Sequence, residues 1–420
     1  MIQQETIDRV LRAADIVEVV REACPDLKKA GQDWVCCCPF HGERTPSFHV
    51  SAVRQTWHCF GQCQEGGNVI GFVMKRDGKT FPEAVKMLAA RYGIEVEEAA
   101  EDEEDRQKRL RREAMLGLNE RVAEMYRSML MAEGDASREA LRYAVQRWGL
   151  EYVKEAGIGY APEAWDTLAN WARRTGESQE LLIDLGLLKR NEEKGRIYDF
   201  LRGRLVIPIR DRQGHVIGFT ARDLTEGATQ AKYVNSQESE VYHKSESVFG
   251  LNEAWAQASR EGRLYLVEGA PDAMKMHSVG INNVVATLGG NWTKEQLLSL
   301  KRLTDNVCFI NDADPVPQGE RYGTGIKYVL RNGEMAMRLG LNVTVRELPC
   351  KEGNLKQDPG DFFQTSARIK ELKEEDFTLW AAGKIVDKDA PTDRQSTQLK
   401  QVATIASYIT DDTLLEMMMD

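Results

Sequence analysis

The stretch that decides the fold reads Leu-Val-Glu-Gly-Ala-Pro-Asp at residues 266–272. It completes a short apolar run that begins at Arg263, and this composition predicts a buried strand. A second such run, from Asn306, leads into Asn-Asp-Ala-Asp at 311–314, and Asp-Pro-Gly-Asp follows at 358–361. Because the carboxyl ends of parallel strands meet at one edge of a sheet, we expect these acids to converge there.

A convergent cluster of carboxylates is the ligand set that magnesium and manganese ions prefer, with the remaining positions left to water and phosphate. Such a cluster is typical of enzymes of phosphoryl transfer. A single Asp-x-Asp is usually a solvated turn or a helix cap, so the prediction depends on the three acidic groups together.

A second candidate metal site lies near the N-terminus, where five of the eight cysteines fall between residues 36 and 63. The pairs Cys38-x-x-His41 and Cys59-x-x-x-Cys63 have spacings that zinc ribbons use, and they predict one structural zinc ion per chain. The alternative is a set of buried cysteines beside a surface histidine. Cys36 and Cys37 are possible substitutes for Cys38, whereas His49 and His58 fit strand positions better than ligand positions; these four residues remain alternatives.

Composition sets broad limits on the class of protein. The chain has 420 residues, of which 42% are hydrophobic and 29% charged, as in ordinary globular proteins of two to four domains. No apolar run approaches the roughly 18 residues of a membrane span, and the polar start is not a signal peptide, so we expect a cytoplasmic protein without a membrane partner. The net charge of −10 argues against a protein that coats DNA, but residues 196–244 hold most of their charge as Arg and Lys and predict a basic face.

The motifs resemble one known family. Glu-Gly-x-x-Asp at 268–272, Thr-Leu-Gly-Gly at 287–290 and Asp-x-Asp at 312–314 are similar, in this order, to the Toprim domain shared by bacterial primases, topoisomerases and some nucleases. Cys-Pro-Phe-His at 38–41 and His-Cys-Phe-Gly at 58–61 resemble the Cys-His-Cys-Cys zinc ribbon of bacterial DnaG-type primases. The block between these motifs is similar to the N-terminal half of the polymerase domain of those primases.

The resemblance implies a multidomain α+β and α/β fold, with a zinc ribbon, a mixed α+β basic subdomain and a Toprim subdomain built on a mostly parallel sheet. It divides the chain into a zinc-ribbon template-binding domain (1–97), a charged linker (98–116), the N-terminal part of the polymerase domain (117–258), the Toprim catalytic subdomain (259–350), a helical end of the polymerase domain (351–388) and a short C-terminal tail (389–420).

The implied function is that of a DNA primase, which makes short RNA primers from ribonucleoside triphosphates on a single-stranded DNA template by two-metal nucleotidyl transfer. Two magnesium or manganese ions would be held first by Glu268, Asp312 and Asp314. Asp272, the fourth predicted catalytic acid, Asp358 and Asp361 would surround these ligands. The basic residues that match the family, and that would hold template and nucleotide phosphates, are Arg202, Arg204, Arg222, Lys232 and Lys244. The alternative for each of these is a solvated strand end. In the ribbon, Lys28, Lys29, Arg44, Arg54 and Trp57 are candidates for template contact.

The sequence departs from the family in three places and leaves one partner open. Gln62 lengthens the usual Cys-x-x-Cys pair, Gly360 lengthens the usual Asp-Pro-Asp, and residues 315–322 form an insertion on the rim of the site. The insertion is either a gate or a neutral surface loop. Only about 35 residues follow Lys384, so the usual helicase-binding domain is absent from this chain, which is a short primase or a fragment. A Toprim nuclease and a non-catalytic single-stranded DNA-binding protein are the alternative functions.

Overall fold

The computed structural model describes residues 2–31, 33–43, 45–61, 63–96, 102–193, 195–225, 231–351 and 355–409. The chain divides into two units, Met1–Leu110 and Arg111–Asp420. Arg44, Gln62 and the end of the predicted tail lie outside the described residues. Among the helices that are described, none has both the length and the apolar character needed to cross a membrane.

The first unit is an antiparallel sheet flanked by helices. Its helices are α1 (Gln4–Ala13), α2 (Ile16–Ala23), α3 (Val69–Asp77) and α4 (Phe81–Arg91), and its strands, in spatial order, are β1 (Lys28–Ala30), β2 (Asp33–Cys36), β3 (Phe48–Ser51), β4 (Thr56–Cys59) and β5 (Gly66–Gly67). The apolar spacing from Ile7 to Ala23 predicts helices. The structure interrupts this stretch at Asp15, whose carboxylate accepts hydrogen bonds from the N–H groups of Val17 and Glu18 and so begins α2.

Side chains alternate between the two faces of this sheet, as the period of a β-strand requires. In β4, Thr56 and His58 are exposed while Trp57 and Cys59 are buried. Trp57 is only 4% exposed and stacks on Phe48, with 5.1 Å between the ring centroids. The prediction that Trp57 offers a stacking surface for template is therefore wrong, because its position in the strand points it into the apolar core.

The second unit begins with helices and a small antiparallel sheet. Its first elements are α5 (Glu103–Leu130, which starts in the first unit), α6 (Asp135–Trp148), α7 (Leu150–Glu155), β6 (Gly159–Ala161), α8 (Thr167–Thr175), α9 (Gln179–Asp184), β7 (Leu188–Arg190), β8 (Ile197–Asp199), β9 (Arg204–Arg210), β10 (Val216–Asp223) and β11 (Tyr233–Asn235). One sheet has the order β11-β10-β9-β6, and β7 pairs with β8. The apolar runs at 205–211 and 216–222 predict strands, and the two long strands β9 and β10 cover nearly the same residues.

The remainder of the second unit is a parallel α/β layer. Its elements are α10 (Leu251–Glu261), β12 (Leu264–Val267), α11 (Ala270–Ser278), β13 (Val284–Ala286), α12 (Lys294–Lys301), β14 (Asn306–Asn311), α13 (Thr324–Arg338), β15 (Asn342–Glu347), α14 (Pro359–Phe362), a 3-10 turn (Ser366–Glu371), β16 (Glu374–Asp376), α15 (Phe377–Ile385) and α16 (Thr392–Ala406). The sheet order is β13-β12-β14-β15-β16, and only β16 runs antiparallel. The predicted mostly parallel sheet is confirmed.

Strand β16 corrects the prediction that residues 351–388 are helical. Its sequence, Glu-Glu-Asp, has no apolar alternation that would predict a strand. Ion pairs hold it at the edge of the sheet, since the carboxylate of Glu374 lies 2.9 Å from the guanidinium of Arg263 and 2.8 Å from that of Arg346. Contacts of this kind depend on the tertiary fold, which a local pattern does not contain.

Candidate functional site

A cavity of about 330 Å³ lies at the carboxyl edge of the parallel sheet. Acidic and basic side chains both face it, together with the loop at 287–290. The charged residues that line it are Glu268, Asp272, Asp312, Asp358, Arg147, Arg222, Lys232 and Lys356. The structure thus brings four of the six predicted acids and two of the five predicted bases to one place.

The first pair of acids is positioned by β12 and the helix that follows it. Glu268 comes directly after the last residue of β12, and Asp272 lies in the first turn of α11. Asp272 is buried and accepts a hydrogen bond of 3.2 Å from the N–H of Gly360. Burial raises the pKa of Asp272 well above its ordinary value, and the charges of Asp312 and Asp358 raise it further. Burial and Asp312 likewise raise the pKa of Glu268.

The second pair follows β14, and its two members have different surroundings. Asp314 accepts hydrogen bonds from the hydroxyl of Thr324 and, at 3.0 Å, from the N–H of Gly325. Burial alone would raise the pKa of Asp314, but these bonds and the neighbouring Lys356 lower it overall. For Asp312, burial prevails and the pKa is raised. Within the described residues, the Oδ1 atom of Asp312 is buried without a hydrogen-bond partner.

Lys356 contacts both acids of this pair, although the sequence motifs did not predict it. Its ammonium lies 2.6 Å from Oδ2 of Asp312 and 3.0 Å from Oδ1 of Asp314. Two backbone hydrogen bonds, of 2.8 and 3.0 Å, join Gln357 to Ala313 and so fix the segment that carries the lysine. One indication of this contact was present in the sequence: Lys356 lies two residues before Asp358, a predicted metal ligand.

The last two predicted acids are separated. Asp358 lines the cavity and caps α14, accepting a hydrogen bond of 2.7 Å from the N–H of Asp361. The side chain of Asp361 is exposed and pairs instead with Lys351. Because Gly360 lengthens the motif, these acids stand three residues apart at the start of a helical turn, and only the first reaches the cavity.

The donor set fits a divalent cation. Carboxylate oxygens from Glu268, Asp312 and Asp358 face one polar cavity, and the unpartnered Oδ1 of Asp312 is an acceptor that a cation would satisfy. Burial is the main cause of the raised pKa values of Glu268 and Asp312, and neighbouring carboxylates raise both further. The residues therefore suit a site that binds divalent metal.

The basic side of the cavity is formed by α6, β10 and the start of β11. The guanidinium of Arg222 donates to the hydroxyl of Tyr233 at 2.8 Å and lies 4.7 Å from the ring centre of Tyr143. Burial and the charges of Arg222 and Arg147 lower the pKa of Lys232. Positive charges crowded together in this way favour an anion, and guanidinium groups bind phosphate with paired hydrogen bonds. Arg147 was not predicted, because α6 is distant in sequence from the acidic motifs.

The other predicted bases lie elsewhere. Lys244 lines an adjoining cavity of about 280 Å³ that shares the 287–289 loop. Arg204 is buried and pairs with Asp223 at 3.0 Å, so its role in the structure is internal. The guanidinium of Arg202 stacks 3.9 Å from the ring centre of Trp165, which is 56% exposed.

The N-terminal unit contains the second candidate site. The sulfur atoms of Cys38, Cys59 and Cys63 and a ring nitrogen of His41 all lie within 4.8 Å of one another. The sulfurs of Cys38 and Cys63 are 3.7 Å apart, close to the roughly 3.8 Å edge of a tetrahedron with zinc–sulfur bonds of about 2.3 Å. These four are the residues predicted from the spacing, and their geometry fits a closed zinc site.

Neighbouring groups orient these ligands. The N–H of Phe40 points at the sulfur of Cys38 at 3.5 Å, and the N–H of Gly61 points at that of Cys59 at 3.3 Å. Nδ1 of His41 faces the sulfurs, while its Nε2 lies 3.1 Å from the carboxylate of Glu43. A carboxylate behind a ligating histidine fixes the ring and its tautomer.

Comparison with known proteins identifies three domains along the chain, which contain the two candidate sites. The family model described as CHC2 zinc finger matches residues 2–104, the N-terminal domain of the DNA primase catalytic core matches 126–255, and the Toprim-like model matches 265–362. A DNA primase of Pseudomonas putida is 39% identical over 318 residues, which are 75% of this chain and 47% of that protein. A DNA primase of Halalkalibacterium halodurans is 34% identical over 367 residues, which are 86% of this chain and 57% of that protein.

Solved structures agree. The Aquifex aeolicus primase, with its zinc-binding and RNA polymerase domains, is 29% identical with a TM-score of 0.59, covering 97% of this chain and 93% of that one. A DnaG primase catalytic domain bound to single-stranded DNA is also 29% identical, with a TM-score of 0.57. The match covers 72% of this chain and 96% of that one. This chain spans about half the length of the curated relatives it matches.

A zinc ribbon followed by a primase core and a Toprim domain places the chain in the class of bacterial primases. Within that class, it belongs to the DnaG-type DNA primase family.

Proposed function

We propose that this chain is a priming polymerase, which starts short RNA chains from ribonucleoside triphosphates on a single-stranded DNA template. One observation carries the proposal: carboxylates suited to divalent metal and guanidinium groups suited to phosphate line the same cavity. Nucleotidyl transfer needs both, because a triphosphate must be held and its developing charge neutralised.

The acids would hold the catalytic metal. Glu268, Asp312 and Asp314 are the proposed direct ligands of about two magnesium or manganese ions, with Asp272 and Asp358 behind them. When bound, these ions activate the attacking 3′-hydroxyl and stabilise the departing pyrophosphate. Asp361, also predicted as a ligand, is exposed and paired with Lys351, which supports a peripheral role for it.

The bases would orient the nucleotide. Arg147, Arg222 and Lys232 line the same cavity as the acids, where they would bind the phosphates of a nucleotide. The loop at 287–290 forms part of the wall, and Gly289 and Gly290 have φ angles of +126° and +93°, which L residues with side chains rarely adopt. Lys244 lies beside this loop and would bind a phosphate that extends beyond the cavity.

The template would follow exposed basic and aromatic side chains. Trp165 is 56% exposed and packs against the guanidinium of Arg202, and an exposed planar ring beside a guanidinium favours stacking of an unpaired base. This supports the predicted role of Arg202, whereas Arg204 would act indirectly, through its pair with Asp223. The zinc ribbon would contribute a rigid surface and no chemistry, since a closed four-ligand site leaves no open metal position.

The test is an incubation of the chain with single-stranded DNA, labelled ribonucleotides and magnesium or manganese. New short RNA supports the proposal; shortened DNA indicates a nuclease, and altered mobility alone indicates a binding protein. Glu268→Gln should lower RNA synthesis by about a hundredfold or more, because it removes a charge that the metal needs. Glu295→Gln, in the first turn of α12, is the matched control. Near-normal synthesis by Glu268→Gln would contradict the assignment.

A further inference from the structure

Lys356 lies in a segment that a backbone bridge joins to the acidic cluster. Residues Lys351 and Leu355 form a backbone bridge, and Gln357 forms another with Ala313. In an antiparallel bridge the residues on either side of the paired ones also face each other. The bridge therefore sets Lys356 opposite Asp314 and Asp358 opposite Asp312, which places one positive charge among the carboxylates.

The ammonium of Lys356 contacts both acids that follow β14, at 2.6 Å and 3.0 Å. The carboxylates of Asp312 and Asp314 are largely buried, but the side chain of Lys356 is 52% exposed. Its ammonium can therefore move into water without any change in the backbone bridge. A buried carboxylate cannot move in this way, so the lysine is the mobile partner of the pair.

We propose that Lys356 is a built-in counter-ion of the acidic cluster: its ammonium competes with the divalent cation for Asp312 and Asp314 and is displaced when the cation binds. The two cations need the same two carboxylates, and two positive charges a few ångströms apart in a partly buried site repel each other. The lysine thus keeps neighbouring carboxylates from repelling one another and weakens the site for free metal. Metal that arrives with a triphosphate is favoured, since the displaced ammonium can then pair with a phosphate oxygen.

This inference rests on the proposed function in one respect, namely that Asp312 and Asp314 bind divalent metal. Binding of Mn²⁺ alone to the zinc-loaded full chain, followed by electron paramagnetic resonance, measures the competition without any catalytic step. Lys356→Met keeps the length and apolar stem of the side chain but removes its charge, and we expect it to bind Mn²⁺ about tenfold more tightly than the natural chain.

Two further variants separate charge from other effects. Lys356→Gln, which keeps a polar end, should give the same tighter binding if charge is the cause. Lys351→Met is the matched control, because Lys351 lies in the same segment but pairs with Asp361, and its Mn²⁺ affinity should match that of the natural chain.

The outcomes distinguish the two proposals. If Asp312→Asn lowers Mn²⁺ affinity but Lys356→Met and Lys356→Gln bind as the natural chain does, or more weakly, the competition is refuted and the metal site stands. If Asp312→Asn leaves Mn²⁺ binding unchanged, the metal assignment fails, and the competition fails with it.

Discussion

At the scale of single residues, the same side chain has different properties in different positions. Asp312 and Asp314 are two residues apart, yet the pKa of the first is raised and that of the second lowered. The difference arises from the start of α13, where Thr324 and Gly325 donate hydrogen bonds to Asp314 alone. The sequence predicted the acids, but it could not show which of them the next helix would stabilise as an anion.

Asp199 gives a prediction about pH. Its buried carboxylate accepts hydrogen bonds of 2.7 and 3.0 Å from the N–H groups of Leu168 and Ala169, at the start of α8. Burial nevertheless raises the pKa of Asp199 from its ordinary value of 3.8 to about 6. Between about pH 4 and 6, the folded chain retains a proton that the unfolded chain has lost. Its contribution to stability is therefore complete below pH 4 and lost as the pH rises through 6.

Asp199→Asn does not titrate, so it serves as the reference. The free energy of unfolding of the natural chain, relative to that of the variant, should fall by roughly 1–3 kcal/mol between pH 4 and pH 7. Urea denaturation of both proteins at several pH values, with a probe in the second unit, measures this difference. A difference that stays constant with pH would show that Asp199 titrates normally.

Lys232 and Lys244 give a prediction about binding. If each holds a phosphate of the template or of the nucleotide, its replacement by alanine should weaken binding of single-stranded DNA or of ribonucleoside triphosphate. The log–log salt slope of that binding should fall by about 0.7 to 0.9. Lys154→Ala is a suitable control, since Lys154 is an exposed residue of α7 that pairs with Glu151. Affinity measured across a salt series tests this. Unchanged affinity and slope in both variants would mean that these lysines are solvated and that the basic face lies elsewhere.

At the scale of elements, local pattern predicted most of what positions the acids. The sequence predicted β12, β14 and the helices that follow them, because an apolar run ends at acids or glycines in each case. The four residues of the candidate zinc site were predicted from the spacing within the two Cys and His pairs. Arg147 could not be predicted, because it reaches the cavity from α6, far away in sequence, and Lys356 could not, because a lysine near an acid does not by itself indicate an ion pair. Strand β16 could not be predicted either, because its pairing with β15 and its ion pairs to Arg263 and Arg346 are tertiary contacts.

The junction between β14 and α13 depends on a glycine. A methyl group at Gly325 would overlap the carbonyl oxygen of Asp312 and lie 3.1 Å from the side chain of Asn311. Gly325→Ala should therefore lower the free energy of unfolding by about 1–3 kcal/mol and shift Asp312. Gly383→Ala in α15, where nothing lies within 4 Å, should be neutral or stabilising by up to about 1 kcal/mol. Thermal denaturation compares the two, and equal stability would contradict the tight fit.

At the scale of the whole molecule, the chain consists of two units with separate apolar cores. The core of the first unit contains Phe48, Trp57 and Phe72 together with the candidate zinc ligands Cys38 and Cys59. The cores of the second unit contain none of these residues. The two candidate sites are divided in the same way. The zinc site belongs to the first unit, and the cavity of acids and bases belongs to the second.

Removal of zinc should therefore affect the two units unequally. Four ligands that meet within 4.8 Å in a small unit contribute binding energy directly to its folding. Cys38→Ser with Cys59→Ser, or treatment with a chelator, should lower or abolish the thermal transition of the first unit. The transition of the second unit should shift by no more than about 2 °C, because its cores share no residue with the zinc site.

Calorimetry resolves the two transitions, and metal analysis of the washed protein counts the zinc. Cys350→Ser is the matched control, because Cys350 is exposed and belongs to the second unit. It should leave one zinc ion per chain and both transitions in place. Undiminished zinc in the double variant would refute the assignment of Cys38 and Cys59 as ligands. An equal shift of both transitions would instead keep the ligands and refute the independence of the two units, because the loss of stability would then pass from one core to the other.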